Sequence, residues 1–151
     1  MPTTVVTPPV EEQLCFALYS ASRAITAQYR GLLDSVGLTY PQYLVMMVLW
    51  EAGPMPVAEL GRRLELDSGT LSPLLKRLEA HGLLTRSRRT DDERSVLIQL
   101  SGPGKRMRAK TAGFPDAICA ATGLTRPQLE QLVATLRAVS GHVRQAVAAE
   151  R

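Results

Sequence analysis

Residues 57–100 restrict the fold more than any other stretch. Val57 to Leu64 is a short segment with Leu60 and Leu64 at helical spacing, and Glu65-Leu66-Asp67-Ser68-Gly69 follows as a tight turn. Leu71, Leu74, Leu75 and Leu78 then recur at i, i+3, i+4 and i+7, the apolar stripe of a second helix over 70–81 that Gly82 ends. Pro73 removes a backbone donor from that helix. The cost vanishes if Thr70 caps the helix and Pro73 falls in its first turn, and this is the predicted start. Beyond Gly82, LLTRSR and SVLIQL are short β-like runs separated by a polar tip, RTDDE.

Two short helices joined by a tight turn, then a charged hairpin, outline a winged helix-turn-helix. The flanking sequence is helical. Residues 1–9, rich in Thr and Pro, form an arm. Pro8 and Pro9 precede Val10-Glu11-Glu12, from which Leu14, Leu18, Ile25, Leu32 and Leu33 carry a long helix to Gly37. Thr39-Tyr40-Pro41 opens a nearly all-apolar helix, YLVMMVLW, that stops at Glu51-Ala52-Gly53-Pro54. Ser101 starts another, broken near Gly113 and Pro115 and again at Thr122-Gly123. Thr125-Arg126-Pro127 begins the last, striped by Leu129, Leu132, Val133, Leu136, Val139 and Val143. The predicted order is α-α-α-α-β-β-α-α, a mainly α fold with a small β-wing and no internal linker.

Charge placement points to a polyanion. The net charge is +4, which favours such a partner only weakly. With the leucine stripe of 70–81 turned inward, Ser72, Pro73, Lys76, Arg77 and Ala80 face out. Ser68, Thr70 and Ser72 are small enough for close approach to a DNA groove and can bond phosphates or base edges, while Lys76 and Arg77 neutralise phosphates. The bland alternative, a solvated face beside a core stripe, explains the periodicity but not the adjoining hairpin. That hairpin carries Arg86, Arg88, Arg89 and Arg94 around Asp91-Asp92-Glu93. Arginine at a hairpin tip suits the negative potential of the minor groove. Arg94 is the preferred minor-groove residue, and Asp92, two positions away, its orienter.

Other classes find little support. No run of eighteen apolar residues exists, so no transmembrane helix is expected, and MPTTVVTPPVEEQ lacks the features of a signal peptide, so a cytoplasmic location is expected. Cys15 and Cys119 belong to no Cys/His cluster, so neither a metal site nor a cofactor is expected. No thioredoxin-like βαβ pattern supports a thiol peroxidase, and no enzymatic activity is expected.

The segment DSGTLSPLLKRLEAHGLLTRSRRTDDERSVLIQLSGPG resembles the recognition helix and wing of MarR-family regulators, its DDER matching their wing-tip Asp-x-Arg pattern at Asp92 and Arg94. QLCFALYSASRAI, YRGLLD and GLTYPQYLVMMVLWE resemble, more specifically, the organic hydroperoxide resistance regulators within that family. The resemblance is strong over residues 11–105 and loose beyond. It implies a homodimer joined by helices within 10–37 and 101–151, with residues 38–100 as the winged helix-turn-helix that reads an inverted-repeat, double-stranded DNA operator. It also implies a repressor released when an organic hydroperoxide oxidises Cys15.

On a continuous helix, fourteen residues separate Cys15 from Tyr29, ~21 Å along the axis, so the two cannot touch within one chain. In a two-fold dimer whose first helices cross antiparallel near Ser22, Cys15 of one chain meets Tyr29 of the other, twice. Tyr40 is placed to close the same pocket. The resemblance implies this arrangement, with hydroxyls from Tyr19, Tyr29 and Tyr40, the last two from the partner. The thiolate is the form that attacks a peroxide. Cys15 is expected beyond the first turn of its helix, where dipole help fades, and tyrosine hydroxyls donate hydrogen bonds without adding charge. By spacing alone, a lone cysteine on an amphipathic helix is more often a small core hydrophobe, and the resemblance is what favours a redox role. For Cys119 the resemblance to two-cysteine members implies a resolving thiol that captures the sulfenic acid, and core packing is the competing reading. Induction by a small aromatic ligand is the rival function.

Overall fold

The computed structural model describes residues 7–88, 90–92 and 95–150. Arg94, with Arg89, Glu93 and residues 1–6, lies outside the described residues, so the pairing of Asp92 with Arg94 does too. By their contacts the residues form two compact units, Met1–Gly113 and Phe114–Arg151.

The first unit is built around α2 (Tyr40–Ala52), whose apolar sequence places Val45, Met46 and Leu49 in the core. Its start is the expected one. Thr39 caps it in a capping box with Gln42 (Thr39 N to Gln42 Oε1 2.9 Å), and Pro41 lies in the first turn. Ahead of it runs α1 (Leu14–Asp34). Residues 10–13 do not continue that helix: Val10–Glu12 is a single 3-10 turn, and Gln13 is extended (ψ 128°). The long first helix therefore starts at Leu14 rather than at Val10.

The helix-turn-helix comprises α3 (Val57–Leu64) and α4 (Ser68–Ala80). The turn between them needs a left-handed residue, supplied by Glu65 (φ 56°). Leu60 of α3 and Leu71, Leu75 and Leu78 of α4 are at most 1% exposed, together with Leu84 and Ile98 of the sheet. Burying each such side chain stabilises the fold by about 1.5–3 kcal/mol before entropy is counted. Gly82 (φ 72°) turns the chain out of α4 into β2 (Leu84–Arg88). This strand pairs antiparallel with β3 (Val96–Leu100), from Leu84↔Leu100 to Arg88↔Val96.

A third strand was not foreseen: β1 (Met55–Pro56) pairs Met55 with Ile98, giving the sheet order β1-β3-β2. Pro56 is tolerated because β1 is an edge strand, and it doubles as the N-cap residue of α3. α5 (Gly102–Lys110) is capped by Ser101 as expected. It is fastened to this unit by Trp50 Nε1 donating to the Gly104 carbonyl (2.9 Å) and by Arg108 donating to the Trp50 carbonyl (3.2 Å).

The second unit contains α6 (Phe114–Thr122) and α7 (Arg126–Ala149), joined through Gly123 (φ 69°). The break near Gly113 thus divides the predicted helix after Ser101 into two separate helices. Thr125 caps α7 in a capping box with Gln128, Pro127 follows in the first turn, and Arg126 pairs with Asp116 at 2.6 Å.

Two helices are largely exposed. Leu33 alone among the described residues of α1 is buried, and none of those in α7 is. Leu14 is 61% exposed, Val143 58% and Leu132 44%. Each helix thus carries exposed apolar side chains at helical spacing.

Candidate nucleic-acid interface and thiol site

α4 begins earlier than the sequence suggested. Asp67, not Thr70, is the N-cap: its Oδ1 accepts the Thr70 amide at 2.7 Å. Hydrogen bonds from Thr70 hold the Asp67 carboxyl below the usual carboxylate range. Pro73 consequently lies inside the helix rather than in its first turn, and the Gly69 carbonyl has no amide from it to accept. The outward face is nonetheless the expected one. Ser68, Thr70, Pro73, Lys76 and Arg77 are exposed and Ser72 is half-buried, while Leu71, Leu74, Leu75 and Leu78 are buried. Between α3, α4 and the hairpin lies an open cleft of about 550 Å³, lined among others by Val57, Ser68, Ser72, Arg86 and Asp92. Four residues expected at the nucleic acid thus converge on one surface.

On the hairpin, Arg88 is exposed at the far end of β2. Arg86, expected among the DNA-facing arginines of the hairpin, has a partner within the chain. Its guanidinium is paired to Glu79 of α4, with Nη2 at 2.6 Å and Nε at 2.8 Å from Oε2. The bonds from Arg86 depress the Glu79 carboxyl below its ordinary range. Glu79 escaped the sequence reading because its partner lies seven residues away across the Gly82 turn, a spacing that no helical or strand periodicity links.

Cys15 is exposed and is the second residue of α1. It is therefore inside the first turn, where the unpaired amides and the helix dipole are strongest, and not beyond it as expected. No side chain caps this helix: Gln13 turns its amide back to the Pro8 carbonyl (3.0 Å). Tyr19 lies one turn on, 61% exposed, with the Arg23 guanidinium 5.4 Å from its ring centre.

Tyr29 and Tyr40 come together in the same chain, their ring centres 4.8 Å apart. Buried Tyr43, absent from the predicted set, completes the cluster at 5.8 Å from Tyr29. Burial, then the neighbouring Tyr40 and Tyr43, pushes the Tyr29 hydroxyl up to about 12, and burial raises Tyr40 and Tyr43 as well. These phenols remain protonated donors at any physiological pH. Cys119, in the second unit, is half-buried near the end of α6, with its sulfur 3.7 Å from the Leu124 carbonyl oxygen. No helix among the described residues is long and apolar enough to cross a membrane, and no group of three metal-ligating side chains occurs among them.

A capped helix-turn-helix with a basic outward face beside a two-stranded hairpin defines a winged-helix DNA-binding protein. Residues 38–96 match the MarR family. The organic hydroperoxide resistance transcriptional regulator of Bacillus subtilis (strain 168) is 46% identical over 127 residues, covering 84% of this chain and 86% of its own. Reduced AbfR bound to DNA superposes with a TM-score of 0.75 at 34% identity, over 89% of this chain and 94% of that one. AbfR, a protein of Staphylococcus epidermidis, is also known in a disulfide-formed structure (TM-score 0.61, 36% identity, 86% and 91% covered). The chain belongs to the MarR family of DNA-binding transcriptional regulators.

Proposed function

We propose that this regulator is a homodimeric repressor that holds an inverted-repeat operator when reduced and releases it when an organic hydroperoxide oxidises Cys15. The observation that carries the reading is the layout of α1. Its exposed face presents Cys15 and Tyr19 at one end, while Tyr29, at the other, stacks with Tyr40. Two copies crossing antiparallel near Ser22 bring the thiol of each to the phenols of the other, and the apolar stripes of α1 and α7 supply surface for that association. Names of similar proteins agree: the Bacillus relative is an organic hydroperoxide resistance regulator, and AbfR has reduced, DNA-bound and disulfide forms.

The chemistry balances simply. The Cys15 thiolate attacks the terminal oxygen of ROOH, the O–O bond breaks, and the alkoxide leaves as ROH after taking a proton. Sulfur is oxidised to the sulfenic acid. The Tyr19, Tyr29 and Tyr40 hydroxyls donate to the thiolate, and the aromatic wall favours a lipophilic peroxide. Cys119 of the other chain then attacks the sulfenic sulfur, forming a disulfide and releasing water. On DNA, Lys76 and Arg77 neutralise phosphates and Ser68, Thr70 and Ser72 line the groove. Arg94, oriented by Asp92, enters the minor groove. A gel shift on the DNA upstream of the protein's own reading frame tests the reading. Reduced wild type and Cys15→Ser bind alike, and cumene hydroperoxide releases only the wild type. Release of both, or induction by an aromatic acid in a variant lacking both cysteines, points instead to a ligand-gated regulator.

A further inference from the structure

The contact between Glu79 and Arg86 has a form that a surface ion pair lacks. Glu79 receives three donors from one residue: Arg86 Nε at 2.8 Å and Nη2 at 2.6 Å on Oε2, and the Arg86 amide at 3.3 Å on Oε1. β2 is, like β1, an edge strand of the sheet, where outward amides ordinarily lack a strand partner. Glu79 supplies one from the last turns of α4. Alternation along β2 puts Arg86 on the same side as buried Leu84, facing α4 rather than away from it. Both side chains are about one-third exposed. Glu79 thereby ties the backbone and the side chain of the wing strand to the helix that carries Lys76 and Arg77.

We propose that Glu79 is a positioning residue for DNA binding. It sets the wing against the recognition helix so that both meet their grooves together, and Arg86 acts as its counterpart and not as a phosphate contact. Phosphate contacts and clamps differ in how they respond to salt. A side chain that neutralises a phosphate releases a counterion, and losing it lowers the slope of log K against log salt by about 0.9. A clamp leaves the slope alone and costs affinity only where geometry matters, on the specific site. The inference rests on the operator reading above, and the test separates the two.

Wild type, Arg86→Gln and the double variant Glu79→Gln/Arg86→Gln, which keeps the wild-type net charge, are titrated by anisotropy. The probes are a duplex from upstream of the protein's own reading frame and a scrambled duplex of equal length. The expected result is an unchanged salt slope for Arg86→Gln on the scrambled duplex. The double variant, still melting cooperatively, loses about tenfold on the upstream duplex and nothing on the scrambled one. Hydrogen exchange at the Arg86 amide accelerates in Glu79→Ala. A slope reduced by about 0.9 in Arg86→Gln, or a double variant that binds both duplexes as the wild type does while the wild type distinguishes them, overturns the proposal. If the wild type itself fails to distinguish the duplexes, the operator reading fails instead, and the slope and the amide exchange still decide the role of Glu79.

Discussion

Gly104→Ala places a methyl group where the fold has no room. A Cβ at this position meets the Leu83 carbonyl oxygen at 2.0 Å, the Leu83 carbonyl carbon at 3.0 Å and Leu100 Cδ2 at 3.3 Å. Two of these neighbours are backbone, so relief requires α5 to withdraw from the base of the wing by roughly 1 Å. Three hydrogen bonds are stretched by that movement: Trp50 Nε1 to the Gly104 carbonyl (2.9 Å), the Gly104 amide to Ser101 Oγ (3.1 Å), and the Ser101 amide to the Leu83 carbonyl (3.1 Å). Overpacking costs about 1–3 kcal/mol and each lost bond about 1 kcal/mol, while alanine returns about 1 kcal/mol of helix propensity. The net loss is roughly 3–5 kcal/mol, a large share of the ~5–15 kcal/mol that holds a typical domain. Trp50 is the only tryptophan, so its fluorescence during urea unfolding at fixed chain concentration reports on this very joint. A stability loss below about 1 kcal/mol with unaltered Trp50 emission refutes the reasoning, because it means that the helix relaxes without breaking the joint.

Other perturbations have equally definite outcomes. Asp67→Ala removes the cap of α4; since the folded carboxyl is held low by Thr70, the wild-type advantage is full above the ordinary aspartate pKa of about 3.9. It fades as pH falls through the lower folded value, which melts of both proteins across pH 2–7 will show. Tyr29→Phe retains DNA binding but slows oxidation of Cys15, measured by thiol labelling, and in mixed dimers the defect falls on the cysteine of the unmutated chain. If it stays within the mutated chain, the antiparallel crossing is wrong. Cys119→Ser abolishes the peroxide-induced covalent dimer on non-reducing gels while Cys15 still oxidises and drifts towards sulfinic acid. Normal recovery under thiol in that variant assigns Cys119 to packing.

Most of the fold was legible because its signals are local. The leucine spacing of α4 and the helix starts at Thr39, Ser101 and Thr125 each rest on signals within four residues, and the structure reproduces them, adding that Thr39 and Thr125 form capping boxes. The start of α4 was not, because Asp67 and Thr70 are both competent caps and Pro73 argues for the later one. The structure takes the earlier cap, which adds a turn that includes Ser68 and Gly69 and accepts the proline penalty. β1 is two residues long and exists only through its pairing with Ile98 and Leu97, a tertiary contact without local trace. The start of α1 turned on Gln13, a residue with no strong stop signal, and that single extended position moves Cys15 into the first turn. On α4 the outward positions followed from helical phase, whereas the Glu79–Arg86 pair depends on how a strand edge meets a helix end. Tyr43 was hidden in an apolar run in which every residue looks like core.

Oxidation of one thiol is proposed to control DNA release. The most direct measurement titrates the DNA-bound protein with cumene hydroperoxide while following bound DNA by anisotropy and the state of Cys15 by intact mass after thiol trapping. Release is expected to track loss of the free Cys15 thiol with sub-stoichiometric to stoichiometric peroxide, and Cys15→Ser is expected to stay bound throughout. DNA release that runs ahead of Cys15 oxidation, or that persists in Cys15→Ser, contradicts it.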